Sequence, residues 1–367
     1  MGTTIIGLAL LLLGAVCGGS FGLPSKFVKK ETPWEALWGP FFFFVTILLP
    51  VTVFPFVAEG LFATCREAGM AAIAGPILFG FLWGLGSMTL GLSFAFIGLS
   101  LAYALNYGAQ IAVGSMGPMI IHHPDQVLTS HGYVIMAGVA ICLLGVVVSG
   151  RAGVLKTRSQ EGGSAQSEAR TRADSGTIRK GMIIAFVSGI LCACYGIAFS
   201  YGGQISEIAT GEPHHNPPWR ASFVVSALIL WGGSVSACGY CIFKLSKNRT
   251  WKSLTGRGIR RVLFIALVMA CLHDGAILCF GVGASKLGDL GVGIGYAVFM
   301  SFAIIVGNVN GFITKEWKGA SRQSVNWIKA GIAVLVLGVC VLAMGQRMEA
   351  ASKETAATEA GKDGSRP

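Results

Sequence analysis

Apolar residues in this chain come in long uncharged runs separated by short polar stretches. Ten such runs stand out, near residues 4–24, 36–58, 71–96, 98–120, 132–150, 180–203, 220–243, 262–284, 289–313 and 326–346. Each is close to the roughly 20 residues that a helix needs to cross a bilayer. The pattern predicts an all-α integral membrane protein of ten transmembrane helices. The longest polar stretch, residues 151–179, contains Ser159-Gln160-Glu161-Gly162-Gly163-Ser164 and alternating charges, and reads as a flexible linker that cannot bury a core. It divides the chain into five helices (1–150) and five helices (180–346), followed by a disordered C-terminal tail at 347–367. An odd number of spans per half means that the halves, if related, are inverted repeats. Gly14-x-x-Cys17-x-x-Ser20 in the first run recurs as Gly189-x-x-Cys192-x-x-Tyr195 in the sixth, and Ile97-Gly98 recurs as Leu287-Gly288.

Composition agrees with the pattern. Of 367 residues, 53% are hydrophobic and only 12% charged, with a mean hydropathy of +0.67, which excludes a soluble enzyme. Glycine, at 52 residues, points to helices that approach closely or break. A net charge of +11 would suggest nucleic acid in a soluble protein, but here it follows topology. Lys26, Lys29 and Lys30 follow the first run, and clusters of seven, seven and four basic residues follow the fifth, seventh and ninth. Only Arg66, Arg220 and Lys286 lie in the loops after even-numbered runs, with four more in the C-terminal tail. Basic residues collect on the cytoplasmic side, so both termini are expected outside and no nucleic-acid partner is needed.

The first run has no basic residue before it, and although Leu13-Gly14-Ala15-Val16-Cys17 faintly resembles a lipoprotein cleavage site, it reads as a retained helix. Nine of the ten cysteines lie inside apolar runs, Cys238-x-x-Cys241 among them, and read as small apolar side chains rather than disulfides or a zinc site. Gly80-Phe81-Leu82-Trp83-Gly84 and Gly14-Ala15-Val16-Cys17-Gly18 are close-packing patterns. Gly291-Val292-Gly293-Ile294-Gly295 lacks the strand and the Lys-Ser or Lys-Thr of a nucleotide loop. His122-His123-Pro124-Asp125 and Glu212-Pro213-His214-His215 read as solvated turns, with no metal assigned. No nucleophile elbow, HExxH or paired-carboxylate arrangement appears, so no catalytic residue, enzyme activity or cofactor is predicted.

An ionisable side chain inside a span is costly and therefore a functional candidate. Asp274, preceded by His273, is the one acidic residue near the middle of a run, the eighth. A carboxylate taken out of water favours its neutral form, so it can accept a proton from one side and release it to the other. The pair is the candidate for proton coupling, against the plainer reading of a satisfied polar pair. In the fourth run, at 100° per residue, Tyr103, Asn106, Tyr107 and Gln110 share one polar face. Such a face must meet another helix or a water-filled cavity. Its amides and phenols suit a neutral polyhydroxylated ligand, or act as polar glue between helices. Trp83 and Ser87, and Ser20, Tyr195 and Tyr296, are further candidates for the same space.

Four stretches carry a resemblance: Pro24-Ser25-Lys26-Phe27-Val28-Lys29-Lys30 with Trp34-Glu35-Ala36-Leu37-Trp38; Leu78-Phe79-Gly80-Phe81-Leu82-Trp83-Gly84-Leu85-Gly86; Arg179-Lys180-Gly181-Met182; and Lys315-Glu316-Trp317. In this order and spacing the chain resembles the bacterial L-rhamnose/proton symporters of the drug/metabolite transporter superfamily. The resemblance implies an inverted-repeat carrier in the bacterial inner membrane that takes up a 6-deoxyhexose with a proton. The chain departs from that pattern at His273, Asp274 and Ala276, where the resemblance implies aromatic residues and a glutamine, and in the more polar fourth run. The transport class is therefore expected more firmly than the sugar. An exporter or exchanger of another small metabolite, or a membrane sugar sensor without net transport, stays open, as does the oligomeric state.

Overall fold

The computed structural model describes residues 2–122, 127–160, 165–256, 258–287 and 296–363, and among these no strand occurs. Helix α1 (Gly2–Ser20) ends where Pro24 opens a 3-10 turn at Leu23–Phe27. Helix α2 begins at Trp34–Phe43 but does not run unbroken to residue 58 as the sequence suggested. It continues as a π-helical stretch, Phe44–Leu48, and two single turns, Leu49–Thr52 and Phe54–Val57. Pro50 and Pro55 explain the break, because each lacks an N–H and pushes on the carbonyl four residues back.

From Leu61 to His122 the chain is helical except at two glycines, Gly69 (φ 74°) and Gly98 (φ 77°). Only glycine adopts this left-handed conformation freely. They delimit α3 (70–97) and α4 (99–122) and fulfil the expectation of a break at Ile97-Gly98. Next come α5 (Ser130–Gln160), α6 (Ala165–Ser200) and a two-turn helix, Gly203–Thr210. Helices α7 (Pro218–Lys247), α8 (Ile259–Lys286), α9 (Tyr296–Ile313) and α10 (Arg322–Asp363) complete the chain.

Two polar regions differ from expectation. Helix α5 runs ten residues into the stretch read as a flexible linker, and α6 begins at Ala165 inside it. The tail read as disordered is helical to Asp363. Ala, Glu, Gln, Arg and Lys are good helix formers, and no proline stops a helix once it leaves the apolar layer.

Eight helical stretches among the described residues are long and apolar enough to cross a membrane, one of them 53 residues long (Leu61–Val113); Phe299–Ile313 is apolar but shorter. Helix α1 packs on α8 and α9, α6 on α3 and α4, and α5 lies along α10. Helices α2 and α7 are pinned at both ends. The Glu35 carboxylate accepts hydrogen bonds from Asn248 (2.8 Å) and Thr250 (2.7 Å), and Asn216 trades bonds of 2.8 Å with the Glu59 backbone.

The glycine patterns are contact surfaces, as read from the sequence. A Cβ on Gly84 would come within 2.7 Å of the Gly233 Cα, and one on Gly14 within 3.1 Å of the Ala276 oxygen. The seam between α5 and α10 is denser still, with Gly138, Gly145, Gly331, Gly338 and Gly345 each meeting backbone of the facing helix.

Candidate functional site

The polar face predicted on α4 exists, but it divides between two neighbours. Tyr103 is fully buried, and its hydroxyl accepts a bond from the Gly22 N–H (3.0 Å) just past the end of α1. The Tyr107 hydroxyl donates to the Gly18 carbonyl (2.9 Å). Asn106 turns the other way, towards α6, and its amide donates to the Ser188 hydroxyl (2.7 Å) while its Oδ1 stays buried without a partner. Gln110 is half-buried on the same face.

The end of α1 therefore needs polar support, because its last carbonyls and the N–H groups beyond it have no helical partners. Asn310 of α9, which sequence reading passed over, supplies more of it. Its amide donates to the Gly19 carbonyl and to the Ser20 hydroxyl, both at 3.0 Å. Nearby, the Ser100 hydroxyl makes a short bond to Asn308 Oδ1. Two asparagines two residues apart in an apolar run were the available signal for this contact.

His273 and Asp274 sit at the middle of α8. Successive residues point about 100° apart on a helix, yet these side chains meet, with His273 Nδ1 2.8 Å from Asp274 Oδ1. Asp274 is buried, and its Oδ2 has no partner. The imidazole is walled by aromatic rings: Phe21 at 5.4 Å and Phe41 at 6.1 Å, both edge-on, and Trp83 at 5.9 Å. Trp83 also lies 5.6 Å from Tyr195, whose hydroxyl is buried facing Ser226 without a well-formed hydrogen bond.

Phe21 joins the two constellations, since its ring touches both His273 and Tyr103 (5.8 Å). Tyr195, Trp83, His273, Phe21, Tyr103 and Tyr107 thus form one continuous set of ring contacts across α6, α3, α8, the end of α1, and α4. Ser87 is buried on α3 one turn beyond Trp83. Ser20 is brought to Asn310 instead. The Tyr296 side chain, Gly291 to Gly295 and His123-Pro124-Asp125 lie outside the described residues. Sequence reading missed Phe21 and Phe41 because a phenylalanine facing lipid and one facing a site look alike in an apolar run.

Beyond the His273-Asp274 pair, α8 borders a cavity of about 330 Å³ lined by Leu10, Phe56, Val57, Trp219, Arg220, Leu278, Cys279 and Val282. Among the described residues no group of three or more His, Cys, Asp or Glu side chains could hold a metal ion. In the turn with the histidine pair, His214 Nε2 lies 3.9 Å from Glu67.

The sequence profile of the L-rhamnose-proton symport protein (RhaT) family matches residues 1–348. The chain belongs to this family. Among its curated relatives are the L-rhamnose-proton symporters of Escherichia coli strain SMS-3-5 and of Salmonella typhi, 25% and 24% identical over 341 residues. These alignments cover 91% of this chain and 96% of each relative. No solved structure matches. The family is one of multi-pass membrane transporters, not of enzymes. The family description names L-rhamnose and a proton as what its members carry together.

Proposed function

We propose that the chain imports L-rhamnose, or a related 6-deoxy sugar, with a proton across the bacterial inner membrane. The observation that carries the reading is the buried His273-Asp274 pair, mid-span and walled by Phe21, Phe41 and Trp83. A protonated pair is neutral next to the rings and a deprotonated one is not, so loading a proton alters the energy of the site. Asp274 takes the proton and His273 orients it. Trp83 and Tyr195 offer ring faces to the sugar, Asn106, Tyr107 and Gln110 its hydrogen-bonding partners, and Tyr103, Ser87, Ser20 and Tyr296 complete the shell.

The fold proposed is that of the drug/metabolite transporter superfamily, with ten spans in two inverted repeats of five, residues 1–150 and 180–346. What supports it is length and packing. A helix of 53 residues would be about 80 Å long against a hydrocarbon layer of about 30 Å, so the stretch broken at Gly98 makes two crossings. Exchanging each helix with the one five places on carries α1 on α8 into α6 on α3, and returns the pairs α5 with α10 and α2 with α7 to themselves. The short sequence repeat does not follow this exchange, since Gly14 meets α8 whereas Gly189 meets α4.

The test is sugar-dependent proton uptake in proteoliposomes. Uptake with L-rhamnose supports the reading; accumulation without proton movement favours an exchanger, and binding without accumulation favours a sensor. A C-terminal reporter is expected to be accessible from outside, and a cytoplasmic reporter overturns the proposed orientation.

A further inference from the structure

Glu316 belongs to none of the groups so far assigned to sugar or proton, yet its carboxylate holds three partners, Leu99, Ser100 and Lys26. Helix α9 closes with Lys315 in the left-handed region (φ 59°) and the Glu316 N–H returning to the Gly311 carbonyl (3.0 Å). This closing turn swings the next side chain back beneath the helix. The Glu316 carboxylate there accepts the N–H groups of Leu99 (2.8 Å) and Ser100 (3.1 Å), the first two amides of α4, and pairs with Lys26 (2.9 Å) in the turn after α1. A carboxylate suits the positive end of a helix and its unpaired amides.

Three further facts mark this contact as built. A Cβ on Gly98 would lie 2.6 Å, and one on Gly311 3.0 Å, from Glu316 Oε2, so both glycines clear room for the carboxylate. Lys156 stands over the Trp317 ring (4.9 Å), adding positive charge beside the carboxylate. Only 7% of the Glu316 side chain is exposed, so water does little to replace these bonds.

The contact also has a direction. It joins residue 316, after α9, to Lys26 and α4, at the end of the molecule where Tyr103 holds Gly22 and Asn310 holds Gly19. On α8 the cavity lined by Leu278, Cys279 and Val282 lies past Asp274, away from this end. The clasp thus lies at one end of the site and the hollow beside α8 towards the other.

We propose that Glu316 is a positioning residue for transport: its grip on Lys26 and on the first amides of α4 is the gate on the face bearing residues 23–27, and this gate must release in every cycle. The proposal rests on the transport reading above. Glu316 touches neither sugar nor proton; it acts by fixing α4, which carries Tyr103, Asn106, Tyr107 and Gln110.

The test compares the full-length protein with Glu316→Gln and Lys26→Gln in nanodiscs and proteoliposomes. Amide hydrogen exchange is read over residues 97–105 and over 276–284, together with L-rhamnose binding and counterflow. Each variant is expected to speed exchange over 97–105 by about tenfold, the weight of one charge-assisted bond, and to slow it over 276–284 as the other face closes. Binding should stay within about threefold of the natural protein while counterflow falls by about tenfold. Equal loss of binding and counterflow, with faster exchange at both segments, overturns the gate in favour of a general structural role. So do unchanged exchange and unchanged counterflow. If the natural protein neither binds nor moves L-rhamnose but the two segments still shift in opposite senses, the sugar assignment fails and the gate stands.

Discussion

The seam between α5 and α10 and the centre around α1, α4, α8 and α9 hold helices together by different means. Along the seam, glycines bring backbones together: a Cβ on Gly338 would come within 2.8 Å of the Cys142 nitrogen, and one on Gly331 within 2.9 Å of the Ser149 nitrogen. At the centre, rings and hydrogen bonds do the joining, through Phe21, Tyr103, Tyr107, Asn310 and the His273-Asp274 pair. Inside a bilayer, burying apolar surface between helices brings no gain over lipid, so association needs close contact or polar bonds. The seam uses the first and leaves nothing to rearrange. The centre uses the second, and such bonds can be exchanged for others, as the proposed transport site requires.

Five substitutions sharpen this contrast. The largest effect is expected from Asp274→Asn, which should abolish uphill accumulation while sparing counterflow; if neither changes in proteoliposomes, Asp274 has no part in coupling. Next is Gly338→Leu, which drives a side chain into α5 and should cost about 1–3 kcal/mol of stability, read by thermal unfolding in detergent, with the sugar affinity of the folded fraction unchanged. A loss of affinity there would mean that seam and centre are coupled. Replacing Gln110 or Asn106 with Ala should weaken L-rhamnose binding by about 1–3 kcal/mol, a cost typical of a lost buried hydrogen bond. Unchanged affinity with lower stability in Asn106→Ala would assign its bond with Ser188 to helix packing alone. The smallest effect, about 1 kcal/mol of stability, is expected from Tyr107→Phe, which removes the bond to Gly18 and leaves the ring in place.

Much of the fold was legible because membrane burial writes long apolar runs into a sequence. The break at Gly98, the contact glycines Gly14, Gly80 and Gly84, and the isolated Asp274 were all readable, since each departs from its apolar surroundings in a way that has a cost. The break-up of α2 was not anticipated, although Pro50 and Pro55 were in view, because the apolar run continues across them. The helical extensions into 151–160 and past residue 347 were missed for the opposite reason, since a polar composition permits helix without requiring it.

The sequence by itself determined that this is a helical membrane protein, roughly where its helices lie and which side chains are costly where they stand. Apolar burial is a property of each segment and needs no knowledge of its partners. Only the tertiary structure decided that Tyr103 meets Gly22, that Asn106 faces Ser188 and not Tyr107, and that Glu316 closes on Leu99 and Lys26. A hydrogen bond requires two particular groups about 3 Å apart, and here the partners come from segments 81 to 290 residues distant, a coincidence that no local pattern encodes.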